Sequence, residues 1–330
     1  MKVLVTGGAG YVGSVICSAL LDNDVTPVVL DSLVTGRNEF VHGKLFYEGD
    51  IGDRALVGKI FSEHPEIAIS IHCAEKAAVD QSVAAPYDYY INNVEKSIEL
   101  FKYLCDCGCK KIIFSSSGAI YDDTVGYMVT ENSPIKPRSP FAKTKYISEM
   151  ILQDFACAYG MRCISLRHFN PVGADPKLRS GIQPRNPSGI IGKLLDVANG
   201  REKAFKIAGK DWGTRDDTCI RDYVHVWDVA MAFVQAARNF DSAFEKYEGR
   251  DGFLPINIGS GIGVTVKEFI FAFENIYGEK INISYTDRRP GDVAGTYANT
   301  TRAKNLINWK STLTIEEAVL DAIRWDEGRR

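Results

Sequence analysis

The stretch Met1-Lys-Val-Leu-Val-Thr-Gly-Gly-Ala-Gly-Tyr-Val-Gly13 decides how the rest of the chain reads. Residues 2–6 are a short apolar, β-branched run, the composition of a strand buried on both faces of a parallel sheet. Gly7, Gly10 and Gly13 follow at a spacing of three, and an apolar-periodic helix over 11–21 begins inside the glycines. Strand, glycine turn and helix start together make an anion site, because bare backbone N–H groups and the positive end of the helix dipole face one point. Taken alone, the pattern also fits an ordinary tight turn. Its context narrows the reading. A second strand-like run, Thr26-Pro-Val-Val-Leu-Asp31, ends in an acid about twenty residues on, where a dinucleotide-binding fold puts its ribose carboxylate.

Working outward, the chain alternates strand and helix. Strands are expected at 44–47, 67–73, 111–116 and 161–167, and helices at 53–64 (capped by Asp53), 86–107 and 141–159. This alternation predicts an α/β fold with a doubly wound parallel sheet, whose strand ends open into one crevice. Beyond Asn170 the pattern loosens into a glycine- and proline-containing loop at 171–187 and shorter elements. Residues 1–169 therefore read as a dinucleotide-binding domain, with 221–250 returning to it. Residues 170–220 and 251–330 read mainly as a smaller, interleaved substrate lobe.

Composition excludes several classes. The 330 residues carry 39 basic and 42 acidic side chains, a net charge of −3 with no basic field for nucleic acid. No apolar run approaches the ~20 residues of a membrane span, and the first strand begins without a leader pattern, so the expected location is the cytoplasm. Eight cysteines are scattered, several within apolar runs, as reduced core residues would be. Cys105-Asp-Cys107-Gly-Cys109 matches no common zinc spacing and reads as a helix end. No metal is expected.

Chemistry concentrates in two places: Phe114-Ser115-Ser116-Ser117-Gly118 at a strand end, and Ser139-Pro-Phe141-Ala-Lys-Thr-Lys145 opening a helix, with 141 and 145 on one helix face. With these residues assembled, the chain resembles an extended short-chain dehydrogenase/reductase of the UDP-glucose (UDP-galactose) 4-epimerase type. The resemblance rests on Thr6-Gly-Gly-Ala-Gly-Tyr-Val-Gly13, Gly49-Asp-Ile51, His72-x-Ala74, Tyr89-Tyr-x-Asn-Asn93 and Phe114-Ser-Ser-Ser117. It continues through Arg167-His-Phe-Asn-Pro-Val-Gly-Ala174, Thr218-Cys-Ile-Arg-Asp-Tyr-Val-His225 and Arg288-Arg-Pro-Gly-Asp292.

The resemblance implies a Rossmann sheet, NAD as cofactor, a UDP-sugar as substrate and a homodimer joined through helices near 86–107 and 140–158. It assigns NAD to Gly7, Gly10, Tyr11, Val12, Gly13, Asp31, Asp50, Ile51, Cys73, Ala74, Asn92, Ser115, Lys145 and His168. It assigns the nucleotide sugar to Ser117, Asn170, Gly189, Ile190, Arg221, Arg289, Asp292 and Thr296. Ser117, Phe141 and Lys145 fall on its catalytic positions. Related dehydratases carry an Asp-Glu pair after the serine/threonine and related decarboxylases a glutamate; here Gly118 and Ala119 follow. Thr296 stands where some members have a bulky tyrosine, which implies room for an N-acetyl group at C2 of the sugar.

Two departures matter. The family's catalytic motif is Tyr-x-x-x-Lys, and this chain has Phe141-x-x-x-Lys145. A phenol titrates near 10, and bringing it to ~7 takes about 4 kcal/mol of electrostatic help, which a lysine supplies. Phenylalanine has no proton to exchange, so the chain is expected to bind cofactor and substrate and turn over poorly. It reads as a substrate-trapping substitution or as a homologue that uses another group or no longer catalyses. The second departure is Glu75, where the family has a small residue. It reads as a solvated loop carboxylate or as an unusual active-site acid. His72 reads as a core or strand-end histidine.

Overall fold

Seven parallel strands form the central sheet of a computed structural model that describes residues 1–182, 189–249, 251–288 and 292–329. They are β1 (Lys2–Thr6), β2 (Thr26–Asp31), β3 (Leu45–Glu48), β4 (Ile69–His72), β5 (Lys111–Ser117), β6 (Arg162–His168) and β7 (Phe253–Ile258). Their spatial order is β7-β6-β5-β4-β1-β2-β3, so the winding reverses between β1 and β4 and a crevice opens there at the carboxyl edge. Register brings the strand ends level: Thr6 pairs with His72, and Ser117 with His168.

The inner strands β1 and β2 are almost wholly buried because both faces are covered. Val3 and Val5 point into one core with helices Tyr11–Leu21 and Val226–Arg238, while Leu4 points into the other with helices Arg54–Glu63 and Lys96–Asp106. The expected doubly wound α/β fold is the observed one.

Two sequence expectations change. Residues 253–258, grouped with the substrate lobe, are instead the seventh strand, paired in parallel with Cys163–His168. Pro255 has no N–H for a ladder, and β7 tolerates it because it lies at the edge of the sheet. The single helix expected over 86–107 is broken into Pro86–Tyr90, a π-helical turn at Ile91–Glu95, and Lys96–Asp106. Such a turn holds one extra residue and re-aims the side chains on it.

The smaller lobe contains a four-stranded sheet in the order Val264–Thr265, Ile220–Arg221, Gly295–Ala298, Met128–Val129. Its core lies among helices Ile190–Ala198, Val266–Tyr277 and Ile315–Glu327. Among the described residues no helix is long and apolar enough to cross a membrane, and no cluster of metal-ligating side chains occurs.

Candidate active site

The glycine turn is shaped by close backbone approach. Gly7 has φ +73°, and a Cβ there would stand 2.6 Å from the Ala74 amide nitrogen. At Gly13 a Cβ would stand 2.1 Å from the Gly7 carbonyl oxygen. Helix Tyr11–Leu21 starts at Gly10 with no side-chain cap and no acid in its first turn, so none of its own side chains occupies its N-terminus. Asp31 accepts hydrogen bonds from the Ala9 amide (2.9 Å) and the Leu33 amide (2.8 Å), which ties the end of β2 to the turn. A cradle closed to side chains, a bare helix start and a carboxylate beside them fit a dinucleotide.

The other expected cofactor residues divide into two groups. Gly10, Tyr11, Val12, Gly13, Cys73 and Ala74 gather at the carboxyl ends of β1 and β4, and the Tyr11 hydroxyl donates to the Gly173 carbonyl at 2.7 Å. Asp50 pairs with Lys96, and Ile51 is buried among core side chains. Asn92 donates to Asn93, which is the inward residue. Asn93 accepts from the Lys76 amide and donates to the Lys76 carbonyl, both at 2.9 Å, clamping the loop that follows β4. The π-helical turn makes this choice, which periodicity could not reveal.

At the centre, Ser139 caps helix Pro140–Tyr159 by accepting from the Ala142 amide at 3.1 Å, and Pro140 suits the first turn. Phe141 and Lys145 then lie one helical turn apart, with the Lys145 Nζ 5.7 Å from the Phe141 ring centre and 5.0 Å from that of Phe114. Lys145 is fully buried; its ammonium donates to the Ser115 carbonyl and pairs with Glu75. Glu75 is thus not a solvated loop carboxylate. Burial pushes its carboxyl above the usual range, and Lys145 only partly offsets this.

Ser117 ends β5 and accepts from the Ala119 amide at 3.1 Å, a bond that leaves its hydroxyl hydrogen unused. His168 Nδ1 donates to the Phe169 carbonyl (3.2 Å), so in the neutral ring Nε2 accepts from Ser115 (3.0 Å). Burial, reinforced by Lys145, pushes His168 down to about 4, which keeps it neutral. His72 hydrogen-bonds Thr6 and Ser97 and is held at about 3 by burial, a core histidine as expected.

Beneath this centre lies an ionic network absent from the sequence reading. Glu149, fully buried, accepts from Ser116 (2.6 Å), from Ser165 (2.8 Å) and from Arg167 through both Nε (3.0 Å) and Nη2 (2.7 Å). Arg167 reaches on to the Tyr121 hydroxyl at 2.8 Å, and Tyr121 donates to Asn257 on β7 at 2.7 Å. The network thus fixes β5, β6 and β7 to the helix that carries Phe141 and Lys145. The spacing 141, 145, 149 was its available signal.

Of the residues expected to hold the nucleotide sugar, Arg221, Asp292 and Thr296 come together in the smaller lobe. Arg221 faces Asp292 at 3.7 Å and pairs in strand register with Thr296, which is buried. Asn170 binds the Asp222 carbonyl through its side chain (3.1 Å) and its amide (3.0 Å). Asp222 in turn accepts from Ser260, Gly261 and Ala298. The strand bearing Arg221 is thereby anchored to the ends of β6 and β7. Gly189 begins helix Ile190–Ala198 without a side-chain cap. Arg289 lies outside the described residues. The three closely spaced cysteines at 105, 107 and 109 are free thiols at a helix end.

Residues 3–257 match the model of the NAD dependent epimerase/dehydratase family. The chain is 37% identical to UDP-glucose 4-epimerase of Bacillus subtilis over 98% of its own length and 96% of the relative's. It is similar in structure to UDP-glucose 4-epimerase of Bifidobacterium longum in complex with NAD+ and UDP, with a TM-score of 0.92 at 32% identity, covering 99% of this chain and 98% of the other. The UDP-glucose-4-epimerase of Stenotrophomonas maltophila, with bound NAD and formylated UDP-arabinopyranose, gives 0.92 at 31% identity over 100% and 98%.

Proposed function

The chain belongs to the NAD dependent epimerase/dehydratase family, and from that premise we propose that it inverts C4 of a UDP-hexose with NAD as its cofactor. The observation that carries this reading is the end of β5, where Ser117 is followed by Gly118 and Ala119 in place of an acid pair and Lys145 donates to the Ser115 carbonyl. A side chain at position 118 would press on the Phe169 ring, 2.8 Å from an added Cβ, so the acid that elimination of water needs has no room there.

NAD, held by the glycine turn and Asp31, would supply a reversible acceptor for the hydride at C4 of the sugar. The remaining work falls to side chains. The glycine turn and Asp31 hold the dinucleotide; Lys145 supplies positive charge beside it; Ser117 donates a hydrogen bond to the sugar 4-oxygen. Arg221, with Arg289, pairs with the diphosphate through its donor fork, and Asp292 accepts from ribose hydroxyls. Position 141 contributes shape and no proton, so turnover runs below that of a chain with a phenol there. The test offers UDP-glucose, UDP-GlcNAc and UDP-glucuronate to the NAD-loaded protein and to Phe141→Tyr, following C4 configuration by NMR. Interconversion of a UDP-hexose is expected; none by either protein, with NAD bound, rejects the reading.

Thr296 sets the size limit at the sugar. UDP-GlcNAc is expected to bind this chain, and Thr296→Tyr to weaken it by ~10–200-fold relative to UDP-glucose, the range of a hydrophobic size sieve. Calorimetry decides: binding of UDP-glucose without UDP-GlcNAc by the unsubstituted chain sinks the assignment. Helices Lys96–Asp106 and Pro140–Tyr159 expose Ile98, Met150 and Tyr159, which supports a homodimer through these helices. Sedimentation at twice 36.5 kDa is the expected result, and a monomer at micromolar concentration the opposing one.

A further inference from the structure

The two departures from the family's sequence pattern meet at one atom. Lys145 Nζ, which in a Tyr-x-x-x-Lys pair would serve the phenol, is paired with Glu75 instead, and the ring of Phe141 lies 5.7 Å from it. Glu75 is placed there by the fold. On one side Ala74 packs against the glycine turn, so closely that Gly7 admits no Cβ. On the other, Asn93 grips both the amide and the carbonyl of Lys76 at 2.9 Å. Residue 75 is pinned between two constraints at the carboxyl end of β4, in the crevice that receives the substrate.

We propose that Glu75 performs the proton transfer for which residue 141 has no group: its carboxylate accepts the proton of the sugar 4-hydroxyl and returns it to the 4-keto oxygen. This rests on the epimerase reading above. In the forward half-reaction the hydroxyl O–H bond breaks and a carboxyl O–H bond forms on Glu75. The electron pair left on oxygen becomes the carbonyl bond as the C4 hydride departs to NAD. The return half-reaction reverses both, so Glu75 ends ionised and no external oxidant, reductant or acid is consumed. Ser117 donates to the same oxygen throughout.

Physical chemistry favours the assignment. An ordinary glutamate is too weak a base for an alcohol, and a catalytic base works best near the operating pH. Burial raises Glu75 in that direction. The charged and titratable groups facing it are Lys145 from the helix, Cys73 two residues before it and Tyr89 across the loop. Only Lys145 is a cation, and its contact keeps the carboxylate available as a base. A half-buried carboxylate held by one lysine, whose ammonium also faces the aromatic ring at the position where a base belongs, is an unusual arrangement for a merely structural pair.

Four NAD-loaded proteins test this: the unsubstituted chain, Glu75→Gln, Phe141→Tyr and the double variant. Glu75→Gln is expected to lower kcat by ~100-fold or more in the Phe141 chain, and at least ~10-fold less when residue 141 is tyrosine, because a second base then carries the transfer. Bound NAD, read from absorbance, stays constant across the set. Infrared titration of the resting protein supplies a readout besides turnover: a carboxyl stretch that titrates above the ordinary glutamate range and disappears in Glu75→Gln. Equal losses in both backgrounds, unchanged turnover in Glu75→Gln, or a Phe141 chain inactive while Phe141→Tyr turns over, each overturns the role of Glu75 and leaves the epimerase reading standing. Inactivity of all four proteins with NAD bound removes both.

Discussion

A phenol introduced as Phe141→Tyr is expected to raise kcat by ~10²–10⁴-fold, the usual contribution of a positioned acid–base group, or roughly 3–5 kcal/mol of barrier. The site is prepared for it. Position 141 lies on the first turn of a capped helix, one turn from Lys145, and the change adds a single oxygen to a ring already seated there. Lys145, 5.7 Å from the ring centre, is close enough to lower the phenol's pKa. The effect belongs in kcat, because the proton moves only as the hydride does; KM for the UDP-sugar should change little. The gain falls toward the lower end of the range to the extent that Glu75 already moves the proton. Single-turnover kinetics of hydride transfer, followed by the absorbance of the reduced cofactor, separate chemistry from product release. A rise confined to KM contradicts the assignment.

Glu149→Ala is expected to destabilise the fold by ~3–5 kcal/mol, the cost of leaving a buried charge without its partner. Arg167 is almost fully buried and directs two nitrogens at Glu149; Ser116 and Ser165 lose their acceptor as well. The loss should appear in the denaturant midpoint with the slope unchanged. Replacing the pair together, as Glu149→Met with Arg167→Met, should cost much less, since the desolvation of both charges disappears with them. A loss below ~1 kcal/mol for Glu149→Ala, the range of an exposed pair, contradicts the buried role. Because Ser116 sits between Ser115 and Ser117, the single substitution should also loosen the strand end that faces the substrate.

What the sequence disclosed follows from how local each signal is. The glycine turn, the acid at the end of β2 and the serine end of β5 were legible because strand, turn and helix start are written within about a dozen residues. The contacts that join distant segments were not. The run at 253–258 was grouped with the smaller lobe because a short apolar run does not say which sheet it joins, and its partner β6 lies far away in sequence. Asn93 was passed over for Asn92 because a π-helical turn inserts one residue into an otherwise helical count. Glu149 falls on the helix stripe with Phe141 and Lys145, yet a lone glutamate on a helix reads as surface until Arg167 is found opposite it. Glu75 was the clearest ambiguity, and only the position of Lys145 resolved its surroundings.

The late position of β7 in the chain has a consequence for biosynthesis. β6 ends at His168 and its neighbour begins at Phe253, roughly 85 residues later. At synthesis rates of about 5–20 residues per second, the outer edge of β6 waits roughly 4–17 s for its partner to leave the ribosome. Through that interval the nascent chain presents an unpaired row of amides and carbonyls, the template on which another strand can add. Yield in the cell is therefore exposed to how quickly the smaller lobe is translated, a sensitivity that no measurement on the finished molecule would report.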